Sequence, residues 1–187
     1  MAIASQAWAS GNNAEGYFAI DAGMFGTNLA QRFGAPAGYG SEVSSLTGFL
    51  RFRKGFSLGK RFYFEPSLAL ALPWRTNVDG STMIFPIQFD LDVSVPIFSF
   101  LAIRLGPGIY SQLVYGSGGV VQLNNGDSFA NFAAPSGLSM SFTFTTEIGL
   151  EILLFHHVSL NFDAYVLAIA SQARRTYQGA ISLGVKL

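Results

Sequence analysis

The chain has 187 residues, of which 50% are hydrophobic and 12% charged, with 11 basic and 11 acidic side chains, a formal net charge of zero and no cysteine. That length suits one domain, and the charged fraction is about half of the roughly 25% that a water-facing surface usually carries. Balanced charge excludes the basic field that holds nucleic acid, and the absence of cysteine excludes disulfides and thiolate metal sites.

Helical membrane spans are excluded as well. Each needs roughly 18 or more consecutive apolar residues, and the most apolar window, Val93 to Leu105, is broken by Pro96 and carries Arg104. A chain too apolar for water and without helical spans has one other way to pair every backbone amide inside a bilayer, a closed β-barrel.

Residues 1–14 are expected to form a separate, flexible N-terminal segment and residues 15–187 the barrel. Met1 to Asn13 contain no Lys or Arg and no long apolar stretch, unlike an intact secretory signal. The Ala7-Trp8-Ala9 triplet has the look of a cleavage site without its upstream regions, so the segment reads as the start of a mature chain with an added Met.

A membrane-spanning strand needs about 9 to 11 residues with alternating outward apolar and inward polar side chains. Taken in chain order, Phe18, Ile20, Ala22 and Met24 oppose Tyr17, Ala19, Asp21 and Gly23, and Leu46 to Phe52 oppose Thr47, Phe49, Arg51 and Arg53. From Arg61, the row Phe62, Phe64, Pro66, Leu68 opposes Arg61, Tyr63, Glu65, Ser67. From Thr82, the row Met83 to Val95 opposes Gln88, Asp90, Asp92 and Ser94. Leu101 to Ile109 oppose Arg104, Gly106, Gly108 and Tyr110, and Leu138 to Ile152 oppose a row of hydroxyls with Glu147 and Glu151. Val158 to Val166 oppose Asn161 and Asp163, and Tyr177 to Leu187 oppose Gln178, Ser182 and Lys186.

The expected fold is therefore all-β, a transmembrane antiparallel up-and-down barrel of about eight strands. Its connections alternate in length. Lys54 to Gly59, Pro96 to Ser99 and Leu153 to His157 are short, whereas Asn28 to Ser41, Trp74 to Ser81, Tyr115 to Pro135 and Ala170 to Arg175 are longer. Short turns on one rim and long loops on the other place both termini on the periplasmic side. Asn125-Gly126 predicts a type I′ hairpin within the longest loop, and Trp74, Phe98, Phe100, Tyr115, Phe155 and Tyr177 near strand ends predict interfacial aromatic girdles.

Gly16 to Leu187 resembles the small eight-stranded outer-membrane proteins, the group of OmpX, NspA and the transmembrane domain of OmpA, by pattern and not by a shared motif. The closing strand Tyr177 to Leu187 is similar to the assembly signal of that class, with Leu187 where the class usually ends in Phe. The resemblance implies the bacterial outer membrane as location and membrane lipids as partners.

Eight strands enclose a space that side chains can just fill, so the inward charges Asp21, Arg51, Arg53, Arg61, Glu65, Asp90, Asp92, Arg104, Glu147, Asp163 and Lys186 are expected to plug it as an ion-pair network. An unpartnered buried carboxylate costs several kcal/mol, which makes pairing a structural need. Asp90 with Asp92, or Glu147 with Glu151, could also be read as a general acid/base pair, but the surrounding arginines favour neutralisation. His156 and His157 fall in a short periplasmic turn, and outer-loop serines such as Ser41, Ser81, Ser117 and Ser128 have no His at hand. Barrel enzymes that act on lipid A or on peptides place a catalytic His toward the outer side, so no catalytic residue, metal or cofactor is expected here.

Pro66, Pro86 and Pro107 fall inside strands, where each removes a ladder bond. They read as bulges or bends, or as a seam that meets lipid or a neighbouring protomer. The functional expectation is a non-enzymatic barrel that acts through outer loops with an unidentified extracellular partner, through lipid contact, or as a homo-oligomer. The alternative is a narrow transporter or channel for small or hydrophobic molecules.

Overall fold

Residues 16–28, 39, 44–59, 62–76, 82–155 and 157–187 are described by the computed structural model. Eight long strands form the wall: β1 Phe18–Asn28, β2 Ser44–Lys54, β3 Tyr63–Ala71, β4 Met83–Phe98, β5 Leu101–Ser117, β6 Ser136–Leu153, β7 Val158–Leu167 and β8 Thr176–Lys186. Each pairs antiparallel with its neighbours in sequence, and β1 closes the ring on β8 from Ala19↔Lys186 to Phe25↔Ala180. Closure leaves no open edge at the level of the bilayer, where each unpaired amide would cost several kcal/mol.

The alternation read from the sequence is the alternation of burial. On β4, Ile84, Pro86, Gln88, Asp90, Asp92 and Ser94 are buried, while Met83, Phe89, Leu91 and Val93 are exposed on the other side. The same parity holds along β2, β5, β7 and β8, so the apolar row faces outward and the polar row faces the lumen. Phe, Leu, Ile and Val on the outward row suit both the extended backbone and an acyl-chain environment.

Three junctions are short: β2 to β3 passes Gly59 at φ +103°, β4 to β5 turns through Ser99 and Phe100, and β6 leads to β7 past Leu154 and Phe155, whose N–H groups meet the Val158 carbonyl. Phe18 and Leu187 exchange backbone bonds at this same end, with Phe18 N–H to the Leu187 carbonyl at 3.3 Å and Leu187 N–H to the Phe18 carbonyl at 2.8 Å. Lys60, Arg61, His156 and residues 1–14 lie outside the described residues.

The prolines sit within the wall with little disruption. Pairing of β3 with β4 runs through Pro66↔Leu91, and that of β5 with β6 through Pro107↔Thr146. Between β4 and β5 it passes Pro86↔Gln112, lapses between Asp90↔Gly108 and Val93↔Leu105, and shifts register between Pro96 and Phe98. The lapse lies on the β4 side of Pro107, which has no N–H to give.

β4, β5 and β6 have 16, 17 and 18 residues against 10 in β7. β7 is long enough to span a bilayer, so the surplus of β4 to β6 stands above it as an arm at the long-loop end. A small hairpin, Val120–Asn124 with Phe129–Ala133, continues the arm. Gly118 and Gly119, at φ +79° and +105°, let the chain turn into it. Its loop is not the two-residue type I′ turn expected from Asn125-Gly126. Asn125 to Ser128 make a longer turn in which the Asn125 side-chain oxygen accepts from the Asp127 and Ser128 N–H groups at 3.0 and 2.8 Å, the kind of local bond Asn favours.

The levels of bilayer and arm predict opposite outcomes for the same substitution. Ile181→Arg, outward at the middle of β8, should cost about 2–4 kcal/mol in urea unfolding from lipid vesicles. Leu138→Arg, outward on the arm, should cost less than about 1 kcal/mol.

Candidate functional site

The lower lumen is a ring of charge to which every wall strand contributes. Arg51 and Arg53 come from β2, Asp21 from β1, Glu65 from β3, Asp90 and Asp92 from β4, Arg104 from β5, Glu147 and Glu151 from β6, Asp163 from β7 and Lys186 from β8. All are buried except Lys186, whose side chain is 12% exposed.

Arg53 is the hub. Its Nε and Nη2 donate to Asp21 Oδ2 and Oδ1 at 2.8 and 3.0 Å, a two-pronged fit that suits the planar guanidinium. Its Nη1 donates to Glu65 Oε2 at 3.0 Å and to Glu151 Oε2 at 3.3 Å. Arg51 joins the same Asp21 at 2.7 Å to Asp163 at 2.8 Å. Arg104 also donates to Asp163, and its Nη1 reaches Asn161 Oδ1 at 3.1 Å. Lys186 Nζ stands 2.9 Å from Glu151 Oε1 and 4.4 Å from the centre of the Tyr17 ring.

Glu147 is held less closely, 3.7 Å from Arg51 and 3.8 Å from Arg104. Asp90 accepts from Gln88 Nε2 and from Ser67 Oγ, the latter at 3.5 Å. Neither Asp90 nor Asp92 has a basic partner within 4.0 Å among the described residues, in contrast to the network expected of them. The site list read from the sequence omitted Glu151, which touches three bases, although it stands on the same polar row as Glu147.

Room for these groups comes from glycines on neighbouring strands. Asp21 is in register with Gly184, Asp90 with Gly108 and Asp163 with Gly149. A Cβ on Gly149 would lie 2.6 Å from Asp163 Oδ1 and 3.0 Å from Arg104 Nε. The carboxylate therefore lies flat against bare backbone, a packing that any side chain would displace. This acid-opposite-glycine rule appears only once strands are paired.

Above the charges the lumen is mixed, with Thr47, Gln88, Thr145 and Gln178 also buried there. Phe25, Phe49, Ala69, Ala71, Tyr110, Tyr165 and Leu167 form an inner apolar layer, with Phe25 and Phe49 edge to face at 5.5 Å. A void of about 10 Å³ lies in it, close to the space of a single water. Higher still, Val121 and Leu123 of the hairpin fold inward onto Ile84 and Val114 of β4 and β5. Trp74 packs against this upper cluster instead of joining an interfacial girdle, while Phe98, Phe100, Phe155, Tyr115 and Tyr177 are exposed.

Among the described residues no group of three or more His, Asp or Glu side chains is placed to hold a metal ion. The arrangement pairs Arg51, Arg53, Arg104 and Lys186 with Asp21, Glu65, Glu147, Glu151 and Asp163 inside a closed wall.

No protein-family model and no curated protein matches the chain. Solved structures do. OprG of Pseudomonas aeruginosa is 13% identical with a TM-score of 0.51 over 94% of this chain and 97% of that one. The Yersinia pestis outer-membrane protein Ail, in a phospholipid bilayer nanodisc, is 11% identical with a TM-score of 0.51 over 92% of this chain and 100% of that one. Neisserial surface protein A is 13% identical with a TM-score of 0.49 over 94% and 97%. By the OprG and Ail matches and its own closed wall, the chain has the fold of the eight-stranded bacterial outer-membrane barrels.

Asp21→Ala should destabilise the barrel by about 3–5 kcal/mol, because it takes the shared carboxylate from two buried guanidinium groups and leaves Arg51 with Asp163 and Arg53 with Glu65 and Glu151. Gly149→Ala should cost about 1–3 kcal/mol through overpacking. Lys54→Ala, on the rim, should stay within about 0.5 kcal/mol. Urea unfolding in vesicles measures all three.

Proposed function

We propose that this protein is a non-enzymatic outer-membrane barrel that passes nothing through its lumen and works from its outer end, where the arm and long loops meet lipid or an extracellular partner. The observation that carries this reading is closure at two successive levels. Ion pairs cross the lower lumen, and the Phe25 and Phe49 layer packs above them around a void of about 10 Å³. A conducting path would have to break several buried ion pairs at once, each costly to separate.

The same closure weighs against catalysis. Glu147, Glu151, Asp90 and Asp92 lie inside the wall and are fully or almost fully buried, where a substrate would have to displace the plug to reach them. Exposed groups at the outer end favour contact over chemistry. Leu138, Phe142, Phe144 and Tyr115 are each more than half exposed on the arm, and an exposed apolar row is a common mark of an interaction surface.

Planar-bilayer recording of the reconstituted protein should show no unitary conductance steps. Steady stepwise openings, or uptake of small solutes into liposomes above protein-free controls, would replace this reading with a channel or transporter.

A further inference from the structure

β6 continues upward after β7 has ended. Their pairing stops at Thr145↔Leu167, and the last backbone bond across the seam runs from Ala168 N–H to the Phe144 carbonyl at 3.0 Å. Above that point Ser136 to Phe144 keep β5 on one side, and among the described residues no strand lies on the other. The gap is constructed rather than frayed. Ala168 adopts φ +54°, uncommon for an L residue, where the chain leaves β6. The turn that follows is held by Ser171 N–H to the Ala168 carbonyl at 2.9 Å and by Arg175 Nη2 to the Ile169 carbonyl at 2.9 Å.

Between the β6 edge and this turn lies a cleft of about 440 Å³, within the size range of small-ligand sites. Its floor is polar and comes from the lumen side: buried Tyr110 and Gln112, with Gln112 Nε2 donating to the Tyr110 hydroxyl at 3.1 Å. Ser141 and Thr143 line its side, and Arg174 stands at its rim. Its outer lip is apolar and faces the membrane side, where Phe142 and Phe144 are 68% and 72% exposed. The cleft opens at the outer end of β7, which in a spanning strand of that length is the level of the outer headgroups.

A polar pocket with a cation at the rim, entered past an apolar lip at headgroup depth, matches one kind of molecule. We propose that this cleft receives the anionic headgroup of an outer-leaflet lipid, whose acyl chain then runs down the outward row through Phe144 and Ile148. A second copy of the chain adding a strand to the same edge would pair the backbone but leave the polar floor behind it unfilled. The inference concerns the outer wall and does not depend on whether the lumen conducts.

The test uses the full chain reconstituted in phosphatidylcholine vesicles with acyl-chain spin-labelled phosphatidylglycerol or phosphatidylcholine at trace level. Electron paramagnetic resonance then reads the motionally restricted lipid held by the protein. The expected result is a preference for phosphatidylglycerol of about fivefold, the effect of one cation at a membrane surface. Arg174→Gln should remove the preference, and Thr143→Trp, which fills the cleft, should remove the restricted component that carries it. Both should still migrate as folded barrels in unboiled gels. If Thr143→Trp does not, Ser171→Trp fills the cleft from the turn side with the same expectation. Equal retention of the two lipids by the unaltered protein, or a preference that survives both substitutions, overturns the proposal. So does efficient disulfide cross-linking of a Phe142→Cys variant between copies, which would give the edge to a second chain.

Discussion

A guanidinium can sit inside a narrow barrel only if carboxylates meet it there, and the wall places those carboxylates on different strands. Arg53 of β2 bonds Asp21 of β1, Glu65 of β3 and Glu151 of β6, and Arg51 reaches across to Asp163 of β7. Neither partner set exists in an open sheet, so the ion pairs and the closure of β1 on β8 depend on each other. Desolvating these groups is expensive, and the return comes only when the ring is complete. That coupling makes the plug a device for a single closed arrangement more than a source of raw stability.

The same economy shapes the outer half. Where charges stop, aromatic and small side chains take over as filling, and above them the 120–133 hairpin folds its apolar side into the mouth. Outward, the lipid-facing row outlasts the bilayer along β4, β5 and β6, giving the molecule one tall side and one short side. At that step in height no described strand pairs with β6 above Thr145, and the proposed lipid cleft opens behind the lip of Phe142 and Phe144.

Strand parity was legible in the sequence because each residue of a barrel wall has only two environments, acyl chain or lumen, and side chains alternate between them. Asp21, Arg51, Arg104 and Asp163 could be assigned to the lumen side on that basis alone. Relations between strands were not legible. The pairing of Asp163 with Gly149 needs the register of β6 and β7, and the inward turn of Trp74 depends on a hairpin some fifty residues later in the chain. Phe25 and Phe49 stand on the inward rows, yet an apolar lumen layer contradicts the simple rule of polar inside and was passed over. Glu151 was visible on its row but lies near the end of its strand, where its three basic partners come from β2, β5 and β8. Asp90 and Asp92 share a face with the arginines without an ion pair to any of them, although Asp92 is in register with Glu65, which bonds Arg53.

The central claim is that opposite charges on non-adjacent strands hold one another across the lumen. A double-mutant cycle on Arg51 and Asp163, with urea unfolding from vesicles as the readout, measures that interaction directly. The account predicts a coupling energy of at least about 1 kcal/mol. Effects that add to within about 0.3–0.5 kcal/mol would contradict it, and would mean that the lumen charges merely share a space.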